Sequence, residues 1–371
     1  MSPYRILFVI PSLGRRGTER QLVELLKGLD DQFAIAHVVT LVDSVPNYIA
    51  DVEALGIRVT RLKCQGQTDY LRSVWTIRRL INAEKIDIVH GFLNLGSFVG
   101  TLAGRLAGVK VVAASIRDAR DTQRSLRVYR AITSRLAHVF TSNSKAGFNN
   151  RYRTLPAHFR VIYNGINLER FTDLGGHADT LRASLSITSS QRCVAMVAAL
   201  SEHKDYATFI EAAKLVTTAR SDVVFLSIGD GPMRDDIHRI NSAHGEPVRF
   251  LGQRNDVDQL WSVVDIAVML TNNQLIEEGL PNSVMESLAC GVPTIANNSG
   301  GTVEVIDHQV NGLLLDEPNA KELADVIQLW LDDTELYARL SAAAREKIVT
   351  TFSYDHYLAT HRQLYADLMA T

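Results

Sequence analysis

Hydrophobic and polar positions along the 371-residue chain fall into two alternating patterns: short, nearly unbroken apolar runs, and longer stretches with apolar residues three or four apart. The run RILFVI at 5–10 predicts a strand, and Leu22, Leu25, Leu26 and Leu29 predict a helix over 19–29. Further strands are expected at 37–42, 57–62, 86–89, 109–114, 138–141 and 160–163, with helices over 69–83, 95–107 and 124–136. Strands this apolar leave no face for water, so they belong to a parallel sheet covered by helices on both sides.

The alternation restarts after Asn164-Gly165, a turn signal. Strands are expected at 193–199, 223–228, 248–251, 266–270, 294–296 and 312–315, and helices over 206–218, 233–244, 257–263, 283–289, 322–331, 335–350 and 354–369. The aperiodic stretch 165–177 reads as a linker. The expected architecture is α/β, with two doubly wound domains, 1–168 and 175–352, facing one another across a cleft. Such sheets bind ligands outside their strand C-termini, so the chemistry is sought in the loops that follow strands.

Composition changes this picture little. Hydrophobic residues make up 46% and charged residues 22%, the balance of a globular protein. Cys64, Cys193 and Cys290 are isolated in apolar surroundings, which suits reduced thiols in the cytoplasm. No run reaches the ~18 apolar residues of a membrane span, and the apolar start is only strand length. Charge does alter the picture. Residues 1–170 hold 25 Lys and Arg against 13 Asp and Glu, whereas the remainder holds 14 against 28. The densest basic run, 117–160, has ten basic residues opposed only by Asp118 and Asp121. A basic first half suits an anionic substrate or membrane surface, and a solvated helix face would produce the same run.

The loop over 271–281 is the richest in chemistry. It carries Glu277 and Glu278 and leads into a helix that Asn282 or Ser283 could cap. The N-terminus of that helix would attract a phosphate or diphosphate, with Glu286 one turn further in, within reach of a ribose hydroxyl. Glu278 stands before the helix, where a sugar attached to the diphosphate would lie. Asp256-Val257-Asp258 has the form of a metal–diphosphate motif but sits at a helix start, where capping explains it better. No Gly-x-Gly-x-x-Gly fingerprint follows the first strand.

The stretch 278–312 resembles the retaining glycosyltransferases of family 4, which have the GT-B fold of two facing Rossmann-like domains. The resemblance rests on Glu278-Gly279-Leu280-Pro281-Asn282, Glu286, Gly291-Val292-Pro293, Ile295-Ala296, Gly300-Gly301, Glu304 and Asn311-Gly312-Leu313, in the family's order and spacing. Leu13-Gly14, Gly17-Thr18-Glu19-Arg20, the segment 162–166, Leu200 with Lys204, Gly229-Asp230-Gly231-Pro232 and Phe250-Leu251-Gly252 are similar to further family segments. The last helix, within 353–371, resembles the one that crosses back to the first domain.

The resemblance implies a role for each matching position. Glu278 would contact the transferred sugar, Glu286 would hold the ribose, and Lys204 would neutralise the diphosphate leaving group. Gly17 would let the backbone approach the donor, Gly279, Leu280, Pro281 and Asn282 would offer groups to sugar hydroxyls, and Ser283 would mark the helix N-terminus. Three departures stand out. Ala198-Ala199 replaces the usual Gly-Arg, which removes a diphosphate-binding Arg. Arg16-Gly17 replaces Gly-Gly, so Arg16 either substitutes for that Arg or narrows the pocket. Arg117 stands where many members carry a His, and either contacts the donor or an acceptor phosphate or pairs with Asp118 or Asp121. His90, at an expected strand end, either touches sugar or acceptor or is structural.

The implied activity is metal-independent, retaining hexosyl transfer from a nucleoside-diphosphate sugar, UDP ahead of GDP, to a hydroxyl of a glycan or lipid-linked acceptor in surface polysaccharide or glycolipid assembly. The 175–352 domain would bind the donor and the 1–168 domain the acceptor. The donor is a co-substrate; no cofactor, metal or nucleic-acid partner is expected. The basic domain suggests a cytoplasmic protein held reversibly at the inner face of the cell membrane. Two other readings stay open: another GT-B enzyme, such as a nucleotide-sugar epimerase, and a catalytically silent sugar-nucleotide-binding protein.

Overall fold

A computed structural model describes residues 2–116, 124–171, 175–275 and 277–370. The chain forms two compact units: Met1–Gly165 together with Tyr354–Thr371, and Ile166–Ser353.

The first unit is built on seven parallel strands: β1 (Tyr4–Ile10), β2 (Ala34–Thr40), β3 (Arg58–Arg61), β4 (Ile88–Phe92), β5 (Lys110–Ile116), β6 (Val139–Ser142) and β7 (Phe159–Val161). Their order across the sheet is β3-β2-β1-β4-β5-β6-β7. The residues of β1 show why the apolar runs are unbroken. Ile6, Phe8 and Ile10 join a core with Leu22, Leu25 and Leu26 of helix Gly17–Gly28 and with Tyr357, Leu364, Tyr365 and Leu368 of helix Tyr354–Ala370. The alternating residues, Leu7 and Val9, join a different core with Val74, Ile77 and Ile81 of helix Gln67–Glu84 and Val99 and Ala103 of helix Leu93–Ala107. Both faces of the strand are dry, and each such side chain stabilises the fold by about 1.5–3 kcal/mol.

The second unit has six parallel strands: β8 (Arg192–Val197), β9 (Val223–Ile228), β10 (Val248–Phe250), β11 (Ile266–Met269), β12 (Thr294–Asn297) and β13 (Gly312–Leu315). Their order is β10-β9-β8-β11-β12-β13, so the two sheets share one winding, the first with an additional strand. Met196, Phe225, Val268 and Ile295 pack with Phe209 and Ala213 of helix Tyr206–Ala219 and with Leu323, Ile327 and Trp330 of helix Ala320–Asp332.

Several boundaries differ from expectation. β2 begins at Ala34, and β4 starts at Ile88 and runs to Phe92, because its pairing with β5 continues to Ala114. The helix expected over 257–263 divides into Val257–Leu260 and a 3-10 turn, Trp261–Val263. The stretch read as an aperiodic linker holds a 3-10 turn, Leu168–Phe171, and the start of helix Gly175–Ser184. All three cysteines are free; Cys193 is buried, Cys64 and Cys290 half-buried. Among the described residues no helix is long and apolar enough to cross a membrane.

Candidate functional site

The winding of each sheet reverses beside its first strand, and in the second unit the reversal falls between β8 and β11. Adjacent connections leave to opposite faces there, which opens a crevice at the strand ends. The segments that leave β8 and β11 are tied together by a bridge between Lys204 and Thr271 and by the Asp205 N–H, which donates to the Leu270 carbonyl at 3.2 Å.

At this point the Lys204 ammonium forms an ion pair and hydrogen bond with Glu278 Oε1. The Thr271 hydroxyl donates to the same oxygen at 3.3 Å, and Lys204 Nζ also lies 3.2 Å from Met269 Sδ and 3.4 Å from Thr271 Oγ1. The Lys204 and Glu278 side chains are 12% and 24% exposed, so solvent still reaches the pair. Burial opposes ionisation of Glu278, but the Lys204 charge and the bonds from Lys204 and Thr271 outweigh it and hold the carboxyl below its ordinary value.

The Gly300-Gly301 pair sets the position of the Glu278 backbone. The Gly301 N–H donates to the Glu278 carbonyl at 2.9 Å. Gly300 adopts φ +57°, and a Cβ on Gly301 would lie 1.7 Å from the Gly279 carbonyl oxygen. No side chain fits at Gly301 unless the 278–280 segment moves.

Beyond that segment comes helix Asn282–Ala289. Its N-cap is Pro281, which makes no side-chain cap bond, so neither Asn282 nor Ser283 caps it; they are its first two residues. The reason is local. Leu280 and Pro281 are buried, and proline's fixed φ, here −75°, suits the extended entry that a cap requires. The helix therefore presents the positive end of its dipole without a capping side chain over it.

Glu286 lies one turn into this helix and is 3% exposed. Its Oε1 is 3.5 Å from Nη2 of Arg170, which belongs to the 3-10 turn Leu168–Phe171. Arg170 also grips Asp258, with Nε donating to Oδ2 at 3.0 Å and Nη2 bonded to Oδ1. The capping explanation of Asp256 and Asp258 is thereby corrected. Asp256 stands at the N-cap of Val257–Leu260 but makes no side-chain cap bond. It pairs instead with Arg254, whose guanidinium holds the carboxyl below the usual range against the opposing effect of burial. Two arginines thus engage the two carboxylates, because a charged pair binds more strongly than a carboxylate to one backbone N–H.

The other expected residues lie in the first unit or on the segment that leaves β8. His90, on β4, is fully buried; its Nδ1 is hydrogen-bonded at 2.8 Å to the Tyr365 hydroxyl, and the rings of Phe8, Phe92 and His361 surround it. It therefore sits within the core of the first unit. Gly17 opens helix Gly17–Gly28, Arg16 is its N-cap without a side-chain cap bond, and both are exposed. Ala199 is exposed, while the Ala198 carbonyl accepts from the Tyr206 hydroxyl at 3.0 Å. Arg117 lies outside the described residues. Sequence reasoning passed over Thr271 and Arg170. A Thr directly after a strand is a weak signal, and nothing in the sequence near Arg170 points to partners 88 and 116 positions away.

Comparison with known proteins covers nearly the whole chain. Residues 178–347 match the family described as glycosyl transferases group 1, and residues 16–165 match the glycosyl transferase 4-like domain. The chain is 25% identical over 315 residues to the UDP-Gal:alpha-D-GlcNAc-diphosphoundecaprenol alpha-1,3-galactosyltransferase of Escherichia coli, covering 81% of this chain and 80% of that one. It is 24% identical over 321 residues to the GDP-mannose-dependent alpha-(1-6)-phosphatidylinositol monomannoside mannosyltransferase of Mycobacterium tuberculosis, covering 81% of each. Among solved structures, HepE of Anabaena in complex with UDP superposes with a TM-score of 0.86 at 22% identity, covering 98% of this chain and 100% of that one. The shared architecture is the GT-B fold.

Proposed function

The chain belongs to the group 1 glycosyltransferases of family 4, and from that premise we propose that it transfers a hexosyl group from a nucleoside-diphosphate sugar to a lipid-linked or glycan hydroxyl with retention of anomeric configuration. The observation that carries the proposal is the Lys204–Glu278 pair at the β8/β11 crevice, beside the N-terminus of helix Asn282–Ala289. A diphosphate bound at that N-terminus would compete with Glu278 for the Lys204 ammonium. The released Glu278 carboxylate would then accept from a sugar hydroxyl.

The bond from the anomeric carbon to the diphosphate oxygen breaks as the acceptor oxygen attacks from the same face. The departing oxygen takes the acceptor's proton, so no protein base is required. Lys204 and the helix dipole stabilise the leaving charge, while Glu278 orients the sugar. Glu286 binds the ribose, and Gly279, Leu280, Pro281, Asn282 and Ser283 line the path between ribose and sugar. The resemblance also gives Gly17, and in one reading Arg16 and Arg117, a role in donor binding. This chemistry needs no metal.

UDP is favoured as the donor base over GDP, supported by the UDP donor of the Escherichia coli relative and the UDP in the Anabaena structure, against the GDP-mannose of the mycobacterial relative. Both curated relatives are named for lipid-linked acceptors that carry phosphate. The basic first unit suits such an acceptor and a reversible contact with the anionic inner face of a membrane. Arg127, Arg135, Lys145, Arg153 and Arg160 of its basic run are exposed, whereas Arg130 is buried. Incubation with UDP- and GDP-sugars and a lipid-diphosphate acceptor should release nucleoside diphosphate and yield a glycoside of unchanged anomeric configuration. An inverted product would overturn the mechanism, and donor binding without turnover at any acceptor would favour a silent binding protein. Binding to anionic vesicles should exceed binding to neutral ones and weaken with salt.

A further inference from the structure

We propose that Arg170 is a positioning residue for Glu286 and thereby sets the preference of the donor site for ribose; the inference rests on the donor reading above. Arg170 lies in the 3-10 turn at the start of the second unit, 116 positions before Glu286. Its guanidinium is a planar fork with five donors in fixed directions. Nε and Nη2 hold the Asp258 carboxylate, which fixes the plane of the fork, and Nη2 also stands 3.5 Å from Glu286 Oε1.

The burial gradient gives the arrangement its sense. The side chains of Asp258, Arg170 and Glu286 are 32%, 19% and 4% exposed. The outermost carboxylate anchors the cation, and the cation compensates the innermost carboxylate. A carboxylate buried as deeply as Glu286 is costly to leave without a compensating charge. Ribose hydroxyls donate to a carboxylate oxygen when its free lone pairs point at them. Arg170, on Oε1, supplies that charge and restrains the rotation that aims the lone pairs. A lysine at this position supplies the charge but not the fork.

The test measures affinity for UDP and for 2′-deoxy- and 3′-deoxy-UDP by calorimetry, in the wild type and in Arg170→Lys, Arg170→Ala, Asp258→Asn and Glu286→Gln. Each variant serves as its own control, because the ratio of ribo to deoxy affinities does not depend on how stable the protein is. The wild type should prefer UDP over the deoxy form that lacks the recognised hydroxyl by roughly tenfold or more. Glu286→Gln should largely remove that preference, and Arg170→Ala should reduce it nearly as far. Arg170→Lys and Asp258→Asn should give intermediate ratios. Combining Arg170→Ala with Glu286→Gln should add little, since both act on one contact. If the wild type discriminates and both Arg170 variants keep the full ratio, Arg170 is only structural and the inference is overturned. If the wild type binds no nucleoside diphosphate, the donor reading fails and takes the inference with it.

Discussion

β4 in the first unit and β11 in the second hold the same place in sheets of the same winding, each directly beside the first strand of its unit. What leaves them is different. β4 ends at Phe92 and helix Leu93–Ala107 begins at the next residue, whereas twelve residues separate the end of β11 at Met269 from helix Asn282–Ala289. The polar residue on β4, His90, is sealed against Tyr365. The polar residues after β11, Thr271 and Glu278, converge with Lys204, and solvent still reaches Lys204 and Glu278. One topology thus serves two purposes. A helix that follows its strand directly uses the strand end for packing, and an intervening loop releases it for chemistry.

The sharpest way to break this comparison is Glu278→Ala. Turnover should fall by about a hundredfold or more, as for the loss of a group that acts at the reacting centre, with a folded protein by circular dichroism. Near-normal turnover would falsify the role of the loop. Next in size is Gly301→Ala, whose methyl would strike the Gly279 carbonyl. We expect a loss of about 1–3 kcal/mol of stability together with reduced turnover, since relief requires the 278–280 backbone to shift. A loss of stability with full turnover would show that the Glu278 segment tolerates displacement. On the packing side of the comparison, Tyr365→Phe removes the hydroxyl that satisfies His90. It should cost about 1 kcal/mol in denaturant unfolding and leave turnover unchanged.

The smallest effect is in pH. The folded-state pKa of Glu278 lies below its ordinary value of 4.5. The unfolded state therefore binds this proton more readily as the medium acidifies. The contribution of the pair is fully present above 4.5 and is lost as pH falls through the folded value. The stability difference between wild type and Glu278→Gln should accordingly be flat at neutral pH and shrink only in acid. A difference that shrinks near pH 6–7 would mean that another group controls the pair.

The sheets were legible because two-sided burial leaves an unambiguous trace: every residue of the run 5–10 from Ile6 onward faces one helical layer or the other. The helix over 282–289 was legible for the same reason, but its cap was not. Pro281 displaced Asn282 and Ser283 from a position that capping preference alone awards to them. Local preference also misread Asp256 and Asp258, whose partners Arg254 and Arg170 compete with the backbone for each carboxylate. Glu278 and Lys204 stood out through their resemblance to a known pattern, yet 74 residues separate them and only the fold makes them a pair. His90, left open between ligand contact and structure, was not legible from its strand-end position alone. The residue that packs on it, Tyr365, comes from helix Tyr354–Ala370, which begins 264 positions downstream.

That covering helix also governs how the protein can be made. Tyr357, Leu364, Tyr365 and Leu368 complete the core built on β1, although the whole second unit is synthesised between β1 and these residues. The second unit is one continuous segment, Ile166–Ser353, and can close as soon as it has emerged. The first unit starts before the second and is completed only after it, keeping an apolar face exposed while the second unit is made. A chain cut short after Ser353 would retain Lys204, Glu278 and Glu286 in an intact unit and still be prone to aggregate.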